Sequence, residues 1–139
     1  MEWKEALPLL QENHTGVAIS VTPKGRAQST VVSTALLDGK LGFASRPHTV
    51  KVKNIQRTGR ATVTVIKLDT RRYVTVEGPA SIEPWQDTPT HIKRLKDLYS
   101  AMGRAPKSDE EFAKQMRDEQ RTLVLVTPER LYGSLRSGA

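Results

Sequence analysis

The stretch TGVAISVTPKGRAQSTVVSTALLDGKLGFAS, residues 15–45, constrains the fold more than any other part of the chain. It is rich in Val, Ile, Ser and Thr and is interrupted at Pro-Lys-Gly and at Asp-Gly. β-Branched residues favour extended backbone, and glycine supplies the positive φ that a tight hairpin turn requires. The stretch therefore predicts three strands, at residues 15–22, 27–37 and 40–45, joined by two hairpins as a meander.

The remaining elements follow from hydrophobic periodicity and from capping residues. Apolar residues recur at helical spacing in residues 2–14, and alternation predicts strands at 60–68, 73–83 and 121–133. Thr49 is placed as the N-cap, and Gly59 as the C-cap, of a helix between the meander and the next strand. Two further helices are predicted at residues 89–102 and 107–120, the second capped by Ser108.

This order of elements predicts a mainly β (α+β) fold. A parallel α/β fold needs a helix between most strands, and this chain lacks that alternation. A meander of six strands with helices packed outside favours a small, largely antiparallel barrel, and 139 residues suit a single domain over residues 1–139. So small a barrel leaves little internal space, so a bound molecule would lie in an outer groove or between two subunits.

Positive charge is concentrated in the middle of the chain. Residues 46–60, RPHTVKVKNIQRTGR, contain five basic residues and no acid. From Lys40 to Arg72 there are nine basic residues and one acid, Asp69, a net charge of +8, whereas the rest of the chain has a net charge of −1. Because the excess is local, it indicates an anion site more than general solubility.

The predicted helix after Thr49 is where an anion would bind. A helix N-terminus offers free N–H groups and a partial positive charge. Lys51 lies in the first turn, three residues before Asn54, and is the expected anion ligand. A second stripe, Lys53, Arg57 and Arg60, is expected to face solvent or a longer anionic tail.

The usual catalytic signatures are absent from the sequence. There is no cysteine, which fits a reducing cytoplasm, and the three histidines lack metal-ligand spacing, so no metal site is expected. No glycine-rich phosphate loop, nucleophile elbow, signal peptide or membrane-spanning run is present. His91 is interpreted as a surface or boundary residue of its helix. No catalytic residue is assigned.

The segments FASRPHTVKVKNIQRTGRATVTV, RRYVTVEGPASIEP and LVTPERLYG resemble the split β-barrel flavin and deazaflavin oxidoreductases, which include the pyridoxamine 5′-phosphate oxidase-like proteins. The resemblance extends from Gly16 to Gly133. Thr49, Lys51, Asn54 and Ile55 match the pattern of the branch that binds the deazaflavin coenzyme F420. It implies a split barrel, a homodimer with the cofactor at the subunit interface, and hydride transfer to an electron-poor small molecule such as an enone, a quinone or a tetrapyrrole.

The resemblance also implies which residues contact the cofactor. The second strand would run along the ring, the end of the third strand and the start of the helix would meet the ribityl phosphate, and the turn before the fifth strand would approach from the other subunit. These expected cofactor-binding residues are Gln28, Ser29, Thr30, Val31, Val32, Ala44, Ser45, Thr49, Val50, Lys51, Arg71, Tyr73 and Val74.

Two alternatives to an F420-dependent enzyme remain open. Coenzyme F420 carries a phosphodiester and a glutamate tail, and this polyanion suits the +8 segment better than flavin mononucleotide (FMN), which has only its phosphate. An FMN-binding oxidoreductase of the same fold is one alternative, and a carrier that holds F420 without turnover is another. Nucleic-acid binding is not expected, because the chain has only 5% aromatic residues and no recognised binding motif.

Overall fold

The computed structural model describes residues 1–104 and 108–136. Its elements in chain order are α1 (Trp3–Glu12), β1 (Thr15–Val21), β2 (Ala27–Leu37), β3 (Lys40–Ser45), α2 (Val50–Thr58), β4 (Arg60–Lys67), β5 (Arg72–Glu83), α3 (Pro89–Ala101), α4 (Asp109–Glu119), β6 (Thr122–Val126) and β7 (Arg130–Ser134). The three meander strands lie within one residue of their predicted bounds. The N-caps Thr49 and Ser108 are confirmed, since each hydroxyl accepts a hydrogen bond from the backbone three residues later.

Six of the strands close into an antiparallel barrel. Each of β1, β2, β3, β6, β5 and β4 pairs with the next in that order, and β4 pairs back onto β1. Strand β5 makes this closure possible because its first part pairs with β4 while its last part, from Ala80 to Glu83, pairs with β6. The predicted mainly β, split-barrel architecture with flanking helices is confirmed.

The prediction of one last strand at residues 121–133 is wrong. The chain forms two strands there, β6 and β7, separated at Thr127 and Pro128, so the sheet contains a seventh strand that pairs with β5. Proline has no N–H for a ladder, and the chain crosses over β5 at this point. The crossing requires Gly78, because a Cβ atom there would lie 1.9 Å from the Thr127 carbonyl oxygen.

Two apolar clusters hold the helices on the barrel. The interior cluster includes Phe43, Val63 and Val76, and α1 packs against it through Ala6 and Leu10. A second cluster lies outside the barrel, where α3 and α4 cover the outer faces of β2, β3 and β6. The outer sheet surface next to the C-terminal end of α3 is where the candidate site lies. Within residues 1–104 and 108–136, no helix combines the length and hydropathy needed to span a membrane.

Candidate functional site

Four residues separate the end of the barrel strand β3 from the start of helix α2, and the first turn of this helix is fixed by Thr49. The Thr49 hydroxyl accepts a hydrogen bond from the Val52 N–H at 3.4 Å, and the Thr49 carbonyl accepts one from the Lys53 N–H at 3.1 Å. The hydroxyl also lies 3.2 Å from the hydroxyl of Ser45, at the end of β3. The N–H groups of Val50 and Lys51 have no described acceptor, so this helix end can still bind an anion.

Asn54 anchors the same helix to the barrel. Its side chain is buried and donates a hydrogen bond to the Ser20 hydroxyl of β1 at 3.1 Å. Its carbonyl oxygen accepts a hydrogen bond from Arg57 at 3.1 Å. Asn54 therefore holds α2 in place.

Lys51 is a nearly buried cation without a partner among the described residues. Only 9% of the residue is exposed, yet it forms no hydrogen bond or ion pair with any described residue. Burial lowers the pKa of its ammonium below the usual 10.5, and the charge of nearby Arg121 lowers it further. A buried charge without a partner costs stability. An anion would remove much of that cost, which marks this position as a binding site.

Lys51 lines a pocket of about 230 Å³ on the outer side of the barrel. Two more cations reach it from distant parts of the chain, Arg104 after α3 and Arg121 before β6. The complete set of described lining residues is Val31, Val32, Ser33, Ala44, Lys51, Tyr99, Met102, Arg104 and Arg121. None of these is acidic, so three positive charges meet with no opposing charge in the lining.

Each of the two arginines is held by a hydrogen bond, whereas Lys51 is not. Arg104 donates from Nη2 to the hydroxyl of Ser33 at 3.0 Å. Arg121 donates from Nε to Oε2 of Glu119 at 2.7 Å. Both arginines keep further N–H groups for a ligand, because a guanidinium has five donors.

His91 fixes the backbone of Arg121. Its Nε2 lies 2.9 Å from the Arg121 carbonyl oxygen, and because a carbonyl only accepts, Nε2 carries the proton. The interpretation of His91 as a surface or boundary residue is wrong, since it is 5% exposed and its ring meets Trp85 edge to face. His91 is therefore a structural residue of its helix.

Tyr99 adds a neutral donor to the pocket. Burial raises the pKa of its phenol above the usual 10.0, so the hydroxyl stays protonated at neutral pH. The pocket thus combines three cations, an aromatic ring and exposed apolar surface at Val31, which is 72% exposed. Among the described residues, no group of three or more His, Asp and Glu side chains is close enough to hold a metal ion. The arrangement suits an anionic group attached to an apolar ring.

The structure brings some of the expected site residues together and leaves others apart. Val31, Val32, Ala44 and Lys51 line the pocket. Ser45 ends β3, Thr49 caps α2 and Val50 begins it, all beside the pocket. Gln28, Ser29 and Thr30 precede the pocket along β2, where the Gln28 side chain donates to the Thr30 hydroxyl at 3.1 Å. Arg71, Tyr73 and Val74 do not line the pocket within one chain, and the Val74 side chain is fully buried in the barrel interior.

The second stripe, Lys53, Arg57 and Arg60, is exposed as expected, but two of its three residues already have partners within the chain. Arg60 forms an ion pair with Glu129 at 2.8 Å, and Arg57 donates to Asn54 and to the carbonyl of Val21. Lys53 is exposed and has no described partner. The acids that oppose the basic segment come from β6–β7 and α4, far away in sequence, so counting charge within residues 46–60 could not reveal them.

Sequence reasoning missed Arg104 and Arg121. Both lie in connections after helices and more than fifty residues from Lys51, and no local pattern relates them to the helix N-terminus. The amphipathic pattern of α3 predicts which face packs on the sheet, but the site where its C-terminal end meets α2 depends on the closed barrel. Only the three-dimensional structure places these charges together.

Comparison with known proteins agrees with this architecture. The family model described as pyridoxamine 5′-phosphate oxidase matches residues 3–134. No curated protein matches the chain. A conserved hypothetical protein from Mycobacterium tuberculosis has a TM-score of 0.76 at 22% identity, covering 96% of this chain and 84% of its own.

Two further solved structures carry cofactor names. An F420 reductase has a TM-score of 0.65 at 22% identity, covering 90% of this chain and 94% of its own. A pyridoxamine 5′-phosphate oxidase-related, FMN binding protein from Nostoc punctiforme has a TM-score of 0.68 at 16% identity, covering 99% of this chain and 87% of its own. At these identities the structures show a shared fold. Because the family model covers nearly all of the barrel, the chain belongs to the pyridoxamine 5′-phosphate oxidase family.

Proposed function

We propose that this protein is a coenzyme F420-dependent oxidoreductase that holds the cofactor's phosphate in the pocket of Lys51, Arg104 and Arg121. The observation that carries the proposal is the Lys51 side chain, which is 9% exposed, charged and without a described partner. Family membership makes a flavin-type cofactor the expected anion. A phosphate oxygen beside these three cations would form charge-assisted hydrogen bonds, which are the stronger kind.

The surface next to the pocket suits the ring of such a cofactor. Strand β2 leads away from the pocket through Val31 and Ser29, whose side chains point outward from the barrel and are exposed. An extended strand offers backbone N–H and C=O groups and small side chains on which a flat ring can lie. A phosphate fixed at Lys51 would therefore place the ring along Ser29 to Val31.

When bound, a reduced deazaflavin supplies a hydride to an electron-poor substrate, for which an enone, a quinone or a tetrapyrrole is the proposed class. The chain's own residues bind and orient. Lys51, Arg104 and Arg121 neutralise the anion, and Tyr99 offers a neutral hydroxyl. The exposed side chain of Val31 would cover one face of the bound ring.

A homodimer is part of this proposal. Val31 and Val50 are 72% and 54% exposed in a single chain, which leaves apolar surface on both sides of the Lys51 turn. The segment Arg71 to Val74 lies outside the pocket of its own chain, and the proposed dimer would bring it to the partner's cofactor. In this arrangement Val74 contributes only backbone, because its side chain is fully buried.

FMN is the second candidate cofactor, and one observation favours it. Arg57 and Arg60, the expected partners of a glutamate tail, are already bound to Asn54 and Glu129. We retain F420 as the first proposal because exposed ion pairs are weak, and such arginines can exchange an internal partner for the carboxylates of a ligand.

Paired fluorescence titrations of one preparation with F420 and with FMN test the proposal. We expect both to bind and F420 to bind more tightly. The reduced cofactor should then be oxidised by a panel of quinones and enones. Tight F420 binding without oxidation of the reduced form would indicate a carrier, tighter FMN binding would favour the flavin enzyme, and binding of neither would refute the proposed function.

A further inference from the structure

The carboxylate of Glu119 lies outside the pocket but contacts two arginines, Arg121 in the pocket lining and Arg46 in the loop before α2. Its Oε2 accepts a hydrogen bond from Arg121 Nε at 2.7 Å, and its Oε1 lies 3.7 Å from Arg46 Nη2. Only 18% of the Glu119 side chain and 24% of the Arg121 side chain are exposed. Glu119 therefore links Arg121 to the loop that leads from β3 into the cap of α2.

This contact decides which part of Arg121 faces the pocket. With Nε bound to Glu119, the two terminal nitrogens of the guanidinium remain for a ligand. The backbone of the same residue is held by His91 at 2.9 Å, so Arg121 is fixed at both ends. A mobile arginine side chain loses substantial rotamer entropy when a ligand binds to it. A side chain that is already fixed loses less.

We propose that Glu119 is a positioning residue that holds Arg121 ready for a phosphate group, although its own charge repels that group. The inference rests on the proposed function for the identity of the cofactor, but it applies to any phosphate in the pocket. Glu119 remains ionised in this setting. Burial opposes its charge, but the hydrogen bond and charge of Arg121 and its other neighbours outweigh burial and lower its pKa.

The proposal predicts the opposite sign from simple electrostatics. If Glu119 acted only through its charge, Glu119→Gln would make the pocket more positive and tighten phosphate binding. If it positions Arg121, the same change would replace a charge-assisted hydrogen bond by a weaker neutral one, hold the guanidinium less firmly and weaken binding. The sign of the change in affinity therefore separates the two roles.

The test uses the full chain and inorganic phosphate at low ionic strength, with the dissociation constant taken from phosphate-dependent thermal stabilisation. We expect Arg121→Ala to weaken phosphate binding about tenfold, as loss of a charge-assisted hydrogen bond does. Glu119→Gln should weaken it by roughly three- to fivefold. Asp118→Asn is the matched control, because Asp118 is on the same helix, pairs with Lys114 at 3.0 Å and does not line the pocket. It should bind phosphate as the wild type does.

The double variant Glu119→Gln with Arg121→Ala completes the cycle. Once Arg121 is absent, Glu119→Gln should cause no further loss, or should tighten binding slightly. Ser33→Ala removes the hydrogen bond that holds Arg104, and it should weaken phosphate binding by the same factor with and without Arg121→Ala. Tighter or unchanged binding by Glu119→Gln alone, a loss that persists without Arg121, or wild-type protein that binds no phosphate would each overturn the inference. Phosphate binding without binding of either F420 or FMN would refute the proposed function and leave this inference standing.

Discussion

The two ends of helix α2 carry the same kind of charge in opposite situations. At the N-terminal end, Lys51 is 9% exposed and has no described partner. At the C-terminal end, Arg57 and Arg60 are exposed, and each is bound to another part of the chain, Arg60 to Glu129 at 2.8 Å. An anionic ligand therefore stabilises a buried, unpaired charge more than it stabilises an exposed charge that is already paired.

This contrast shows why a basic segment cannot be treated as one uniform surface. Residues 46–60 contain five cations, but Arg46, Arg57 and Arg60 already have acceptors within the described chain. The strongest candidate anion site uses one cation of this segment, Lys51, and two from elsewhere, Arg104 and Arg121. The four predictions that follow compare the two ends of α2.

The largest expected effect is on cofactor affinity at the N-terminal end. Lys51→Ala should weaken binding of the tighter-binding cofactor by at least about 1.5 kcal/mol, roughly tenfold, because it removes a poorly solvated cation from the phosphate. Lys53→Ala is the control on the same helix, and should change affinity by less than about twofold because Lys53 is exposed. Fluorescence titration measures both affinities. Equal losses of affinity in the two variants would show that Lys51 is no more important for binding than Lys53.

Replacement of Asn54 should lower the stability of the protein without changing the charge of the site. Asn54→Ala removes the hydrogen bond to Ser20 and should lower the free energy of unfolding by about 1–1.5 kcal/mol. Gln56→Ala, at an exposed position of the same helix, should have almost no effect. Urea unfolding monitored by circular dichroism measures the difference. An Asn54 variant as stable as the wild type would show that this bond does not anchor α2.

Replacement of Lys51 by methionine should stabilise the protein without ligand. Lys51→Met keeps most of the side-chain volume and removes the nearly buried charge, so the free energy of unfolding should rise by about 1 kcal/mol at neutral pH. The pKa of Lys51 is lower in the folded chain than in the unfolded chain. At a pH below both pKa values Lys51 is charged in both states, and the full cost of burying the charge is present.

The advantage of Lys51→Met should shrink at high pH. As pH rises through the lowered folded pKa toward 10.5, the folded wild type loses its proton first and gains stability relative to the variant. Urea unfolding at a series of pH values measures this convergence. A constant difference between the two proteins from neutral to alkaline pH would mean that the pKa of Lys51 is not lowered.

The smallest effect is expected at the C-terminal end. Arg60→Ala removes an exposed ion pair with Glu129 and should leave the melting temperature and the FMN affinity nearly unchanged. The affinity for F420 should fall by less than about threefold, and the loss should disappear at high salt, because exposed charges are screened. Titrations at two salt concentrations measure this. A loss as large as that of Lys51→Ala would place the anion at the wrong end of α2.

The sequence predicted the barrel well because its determinants are local. The Pro-Lys-Gly and Asp-Gly turns, the alternation in β4 and β5, and the caps Thr49, Gly59 and Ser108 each act within a few residues. The division of the last strand had a local signal in Pro128 and its polar neighbours, but the crossing over Gly78 that separates β6 from β7 depends on a distant strand.

The candidate site was predictable only in part, because some of its residues come from distant parts of the chain. The helix N-terminus and Lys51 carry a local signal, and Val31, Val32 and Ala44 followed from family resemblance. Arg104, Arg121 and Glu119 meet only when α3 and α4 pack on the outside of the barrel. The partners of Arg46 and Arg60 likewise come from outside the basic segment, so their pairing depends on tertiary structure.

The most direct test of the account is the position of the cofactor's phosphorus atom in a crystal structure of the complex with F420, or with FMN if that binds more tightly. We predict a phosphate oxygen within hydrogen-bonding distance of Lys51 Nζ, about 2.7–3.2 Å, with Arg104 and Arg121 on the same group. A phosphate bound instead at Lys53, Arg57 and Arg60, with Lys51 still unpaired, would contradict it.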